Sequence, residues 1–263
     1  MRIASRINAA LLGIFACGTV ASYAVLEATI HPRFDEIERA NHQRILEGLE
    51  ASTEKLATAT QDYDNWDETK SFVQGENTEE FITSNLTPEF SAVENLGVHA
   101  LIFLGPQGEI RWGAAYDLET REPVEGLVNE LTQFSAHFVH YVGTQNNFSK
   151  RGIFRTSKGL VLATIAPVLK SDRSGIPLGK IISAKLLDVE AIQALTGANF
   201  SIDELASPFG PSEAPPELTL TAFDDRVETK TRLDSLTGEP LGWLTARYPR
   251  DISHMGVTAV RSA

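Results

Sequence analysis

Cysteine is nearly missing from this chain: Cys17 stands alone in 263 residues. One thiol excludes a disulfide framework and any zinc or iron–sulfur site built from cysteines. An excess of basic residues is missing too. Lys and Arg number 23 against 35 Asp and Glu, a net charge of −12. Nucleic-acid binding is therefore not expected, because phosphates demand a basic surface. The familiar catalytic signatures are also lacking: no G-x-S-x-G, P-loop, G-x-G-x-x-G or H-E-x-x-H occurs. No catalytic residue, metal site or cofactor is assigned on sequence grounds. What the chain does have is length and apolar content. At 42% hydrophobic it can bury a substantial core as one domain or two.

The charge is segregated. Residues 27–80 carry 14 acids and 5 bases, whereas residues 141–187 carry 8 bases and Asp172 as the single acid. This asymmetry suggests an acidic element facing a basic one, or one of them facing an anion; two solvated faces would give the same counts.

Residues 7–26 hold no charged side chain. Twenty helical residues rise about 30 Å, the thickness of a hydrocarbon core. Arg2 and Arg6 precede the run, and Glu27, Asp35, Glu36 and Glu38 follow it, which places the N-terminus in the cytoplasm and the rest outside. The length favours a retained anchor over a cleaved signal, although Ser22-Tyr23-Ala24 would suit a signal peptidase. Phe15 argues against lipidation at Cys17.

Beyond the apolar run, Phe34, Ile37, Ile45, Leu49 and Leu56 recur at near-helical spacing as far as about Tyr63. This stripe could pack on a second copy in a parallel homodimer or cover the chain's own sheet. His31-Pro32 marks a kink or a helix restart. Strand-like runs are expected at residues 98–104 and 109–115, joined by a hairpin, and at residues 159–169 and 177–187, the most apolar of the exported part. A helix is expected over residues 125–140, a short one over residues 189–195, a proline-rich loop at residues 207–216, and three further strands at residues 218–223, 227–233 and 241–248. The order is α+β, with one sheet and helices packed on it.

Few segments carry chemistry. His137 and His140 could share a helical face, but no third ligand is placed near them. Asp62 to Asp67 starts like a calcium loop and fails where Asp67 replaces glycine and Val73 replaces glutamate. If helix continues, Tyr63, Trp66, Asp67 and Lys70 fall on one face, a floor suited to a polar small molecule. An aromatic helix end with Asp67 and Lys70 paired locally fits the same spacing. On the strand over residues 177–187, Ile181, Ser183 and Lys185 share the mixed face. Were that face turned to the helix, Asp67 as acceptor and Lys185 as donor would suit a zwitterion such as an amino acid, or would pair with each other.

The segment Tyr63-Asp64-Asn65-Trp66-Asp67-Glu68-Thr69 resembles the opening motif of the fourth class of CHASE sensor domains. Asn85-Leu86, Gly97-Val98 and Gly108 follow in that family's order. Then come Ala163-Thr164-Ile165-Ala166-Pro167-Val168-Leu169-Lys170-Ser171-Asp172, Pro177-Leu178-Gly179 and Lys185-Leu186-Leu187-Asp188. The tail, from Leu233-Asp234 through Gly238-Glu239-Pro240 to Tyr248-Pro249-Arg250-Asp251-Ile252, resembles the exit of membrane-bound diguanylate cyclases carrying this sensor. The likeness spans about residues 55–255. Lys70 stands where the family commonly has an aromatic and Lys185 where it often has arginine, so bidentate carboxylate capture is not implied at Lys185.

The resemblance implies a PAS/Cache-like antiparallel sheet flanked by helices. It also implies an exported small-molecule sensor feeding a cyclic-di-GMP cyclase, phosphodiesterase or histidine kinase. The organisation expected is residues 1–30 as cytoplasmic N-terminus and transmembrane helix, 31–62 as a membrane-proximal signalling helix, 55–250 as the sensor with exit strands, and 251–263 starting a helix towards a second span. The sensor itself is expected to be non-catalytic, with ligand-binding residues Tyr63, Trp66, Asp67, Lys70 and Lys185. The alternative is an anchored binding protein or enzyme without cytoplasmic output.

Overall fold

The computed structural model describes residues 2–136, 150–169, 177–204, 218–223 and 225–249; the side chains of residues 2–12, 23–24, 26–34, 62, 64, 65 and 204 fall outside the description. The chain opens with one long helix, α1 (Arg2–Asn65), of 64 residues. Three short helices follow: α2 (Asp67–Val73), α3 (Thr78–Asn85) and α4 (Glu89–Leu96). The strands β1 (Ala100–Leu104) and β2 (Ile110–Ala115) form the expected hairpin, and α5 (Leu127–Ala136) follows them. Next come β3 (Lys150–Thr156), β4 (Gly159–Val168), β5 (Gly179–Leu186) and α6 (Val189–Thr196). The chain continues through β6 (Phe200–Glu204), β7 (Thr219–Ala222), β8 (Arg226–Asp234) and β9 (Pro240–Pro249).

The fold class is α+β with antiparallel sheets, as expected, but there are two sheets instead of one. The first has the order β2-β1-β5-β4-β3 and the second β6-β9-β8-β7. The strands β3 and β6 carry little strand signal in sequence. Lys150, Arg151 and Arg155 interrupt apolar alternation in β3, and β6 is a five-residue strand with polar Ser201 and Asp203. Both belong to sheets through their backbone pairing, β3 on β4 and β6 on β9. β5 sits at the centre of the first sheet, which explains why most of it is buried on both faces.

Alternation on β5 divides the core into two layers. Ile181 lies with Leu101, Phe103 and Leu162 under α1, while Ile182 and Ala184 lie with Leu127, Leu131 and Phe134 of α5 on the other face. Ile45, Leu49 and Leu56 are buried in the α1 layer, so this part of the stripe covers the chain's own sheets; Ile37 is 54% exposed. Of the two readings at His31-Pro32, a kink or a restart, the restart is corrected: α1 is helical through both residues. A proline removes one backbone donor, a loss that a helix of 64 residues absorbs without ending. Gly48 is where α1 meets α6: an added Cβ would lie 2.6 Å from Thr196 Cγ2.

Among the described residues no helix is long and apolar enough to cross a membrane. The span expected at residues 7–26 falls within α1, partly on side chains outside the description. His137, His140, the proline-rich loop and residues 251–263 also lie outside the described residues.

Candidate ligand site

The end of α1 packs on the first sheet. Glu54 pairs with Arg151 of β3, joining the acidic helix to the basic segment. One turn and a half further on, Thr60 lies 3.5 Å from Ser183 Oγ, which in turn shares a 2.7 Å hydrogen bond with Thr164. Tyr63 then packs edge-on against Phe103 of β1, with centroids 5.7 Å apart. The mixed face of β5 does turn towards α1.

Helix does not continue through Trp66. Its backbone is extended (φ −74°, ψ 134°), and α2 restarts at Asp67. The expected single face of Tyr63, Trp66, Asp67 and Lys70 is therefore replaced by a corner. Trp66 folds back onto Tyr63 at 4.9 Å and keeps 42% of its surface exposed. Asp67 points to solvent with its side chain 86% exposed, and it holds the ammonium of the buried Lys70 at 2.6 Å. Four of the five sequence-selected residues are thus brought together, with Asp67 and Lys70 paired within their own turn.

Lys185 is not part of that corner. It is exposed at the Leu186 end of β5, beside His99, whereas the α1–α2 corner leads to the Gly179 end. His99 accepts a hydrogen bond from the Leu186 amide through Nδ1, and burial, then the charge of Lys185, lower its pKa. Burial alone raises the pKa of Tyr63.

Several residues at the corner carried no sequence signal of their own. Phe103 is its hub: Phe72, Phe81 and Trp112 all approach its ring, and Phe72 stacks on Phe81 at 4.4 Å. Arg111 donates to the Val73 carbonyl at 3.1 Å and pairs with Glu109, tying the end of α2 to β2. Gly179 permits this approach, since a Cβ there would meet Leu104 O at 2.4 Å and Val73 Cβ at 2.7 Å.

A second polar cluster lies where α1 meets the other sheet. His42 Nδ1 shares a 2.8 Å hydrogen bond with Thr229 of β8, and Glu38 and Tyr248 lie in the same junction. His42 is 1% exposed, its Nε2 finds no hydrogen-bond partner among the described residues, and desolvation lowers its pKa to about 4. Among the described residues no three His, Cys, Asp or Glu side chains are placed to hold a metal ion.

Over residues 48–203 the chain matches the family model described as CHASE4 domain, and it belongs to that family of sensor domains. A curated relative, the methanogenesis regulatory histidine kinase FilI of Methanothrix harundinacea, is 27% identical over 233 residues. The match covers 84% of this chain and 25% of the relative, so the chain spans about a quarter of that kinase's length. Among solved structures, the periplasmic domain of Vibrio cholerae LuxQ aligns at 13% identity and a TM-score of 0.43, covering 80% of this chain and all of that one. The ligand-binding domain of the Campylobacter jejuni chemoreceptor Tlp3, solved with L-valine, aligns at 11% identity and a TM-score of 0.47, covering 87% and 96%.

Proposed function

We propose that this chain is the exported, small-molecule-sensing input of a transmembrane signalling protein and carries out no chemistry itself. Family membership supports sensing. The observation that carries the transmembrane part is the continuity of α1, one unbroken helix from the uncharged run to the corner over β1. Its apolar residues Ile14, Phe15, Val20 and Val25 are 64–75% exposed, as a face awaiting lipid would be. The same helix contacts both sheets, so a shift at Tyr63 and Trp66 is a shift of the membrane-proximal turns. A ligand moves it only by binding the two positions with different affinity.

In this reading Tyr63, Trp66, Asp67 and Lys70 form the ligand-responsive corner, and Lys185 with His99 marks the other end of β5. A polar metabolite such as an amino acid suits the exposed aromatic and carboxylate. A cyclic-di-GMP enzyme or a histidine kinase is the output class, and a parallel homodimer through the membrane-proximal part of α1 is the assembly. Orientation tests the reading. A reporter enzyme active only outside the cytoplasm, fused after Glu76, is expected to be active and membrane-bound. Activity of a cytoplasmic reporter at that position contradicts export.

A further inference from the structure

On the side turned to α1, the first sheet ends in a row of polar side chains that the helix leaves uncovered. Ala100 pairs with Ala115 and with Ala184, so one step further His99 stands between Tyr116 and Lys185. The backbone bears out that step: the His99 amide donates to the Ala184 carbonyl and the Tyr116 amide to the His99 carbonyl, each at 2.8 Å. Alternation puts His99 on the face of Leu101 and Phe103, and Lys185 on the face of Ile181 and Ser183, both towards α1. Yet Lys185 is exposed and His99 only half-buried. Opposite side chains of such a pair have Cβ atoms about 5 Å apart.

The His99 ring is held in place. Its Nδ1 takes the Leu186 amide at 3.3 Å, so Nδ1 is the acceptor and Nε2 carries the proton. Burial, then the charge of Lys185, keeps the imidazole neutral. Among the described residues neither His99 Nε2 nor Lys185 Nζ has a hydrogen-bond partner or an ion pair. Two donors therefore stand side by side. Two acceptors act on the same ring, the carboxylates of Asp117 and Glu119. Asp117 spends Oδ1 on the amides of Glu119 and Thr120, both at 2.8 Å, which holds its carboxyl below the usual range and leaves Oδ2. Glu119 is exposed, while Tyr116 and Leu187 lie half-buried against the core at this end.

A plain anion would meet two carboxylates here, and a metal ion would meet an ammonium; among the described residues no three His, Cys, Asp or Glu side chains are placed to hold a metal. A molecule carrying both charges meets neither obstacle. We infer that a small α-amino acid zwitterion binds here, its carboxylate on Lys185 Nζ and His99 Nε2–H and its ammonium on Asp117 Oδ2 and Glu119. Tyr116 and Leu187 flank its side chain. This inference rests on the sensor reading and adds to it a position at the opposite end of β5 from Trp66 and Asp67. The position has its own route to the long helix: just after Lys185, Asp188 caps α6 by accepting from the Ala191 amide, and α6 meets α1 at Gly48.

The test uses the full purified chain, with L-alanine, L-leucine and L-glutamine as probes. The amide of each, which lacks the carboxylate, and the N-acetyl form of each, which lacks the ammonium, are the controls. Wild type is expected to show a raised thermal midpoint with at least one amino acid and with neither of its controls. K185M should weaken the apparent affinity roughly tenfold to a hundredfold, and E119Q combined with D117N should weaken it by a similar factor. Lys185 and Glu119 are exposed, so the ligand-free midpoints of K185M and E119Q should barely move. K185Q repeats the binding measurement should K185M fold poorly, and D67A should keep the effect.

Stabilisation that survives K185M and K185Q overturns the assignment, as does the absence of an effect from every amino acid tested. An equal effect from the amide or the N-acetyl form also overturns it, because one charged end would then suffice. Loss of the amino acid's effect in D67A with retention in K185M moves the ligand to the α1–α2 corner. That outcome defeats this position while leaving the sensor reading in place, as does stabilisation by a metabolite that is not a zwitterion and by no amino acid.

Discussion

His42 of α1 and Thr229 of β8 share a buried hydrogen bond of 2.8 Å across 187 residues of sequence. This contact ties the long helix to the sheet whose final strand is β9. A helix that shifts at its far end must either carry this sheet with it or break the bond.

The burial of His42 makes stability depend on pH. His42 has a folded-state pKa of about 4 against an ordinary value of 6.5, because the charged imidazolium would be desolvated. The unfolded chain therefore binds the extra proton first. Stability is complete above about pH 6.5 and falls as pH drops towards 4, by no more than about 3 kcal/mol. Thermal midpoints measured from pH 7.5 down to 4 should fall more steeply in wild type than in His42→Gln. Parallel curves would show that His42 is protonated at no net cost in the folded chain.

Gly179→Ala should lower stability by about 1–3 kcal/mol, the usual range for overpacking. The new methyl would sit 2.4 Å from the Leu104 carbonyl oxygen, a backbone atom that no rotamer change removes. An unchanged midpoint would mean that the contact of β5 with α2 is looser than described.

The Asp67–Lys70 pair should behave asymmetrically. Asp67→Ala removes a carboxylate held against a buried ammonium, yet Asp67 itself faces water, so a loss of under about 1 kcal/mol is expected. Lys70→Met replaces the buried cation with an apolar side chain and should be neutral or slightly stabilising. Chemical denaturation of both variants decides this, and a large loss in Lys70→Met would assign the ammonium a further structural role.

Helix packing makes a prediction about assembly. In a Cys17→Ser background, Ile37→Cys should cross-link in membranes if two copies of α1 run in parallel, because Ile37 is 54% exposed. Ile45→Cys should not, since Ile45 is fully buried in its own chain. Monomers throughout, at Ile37 and its exposed neighbours, would count against the dimer.

Much of this architecture was legible from residues. The runs around Gly105-Pro106-Gln107-Gly108 became β1 and β2 because alternation and turn chemistry agree locally. Gly197, in a left-handed conformation (φ 66°), closes α6, the short helix expected over residues 189–195. The second sheet was harder to read. Its strands mix Thr, Arg and Glu, and their separation from the first sheet follows from which strands pair, a non-local choice.

The site was legible in part. The Tyr63–Lys70 segment was found by its residue types, but helical periodicity placed Trp66 on a continuing face, and nothing local signals the extended backbone there. Phe72, Phe81 and Phe103 read as ordinary core, and only the fold gathers them.

The central claim, that this domain senses a small molecule, is tested most directly by thermal unfolding of the purified chain against a library of metabolites. The account predicts at least one compound whose stabilisation rises with concentration as mass action requires, about 2.7 kcal/mol at a hundredfold excess over its dissociation constant. It also predicts that the compound is recovered chemically unchanged after prolonged incubation. Conversion of the compound by the protein, or no stabilisation from any member of the library, would contradict it.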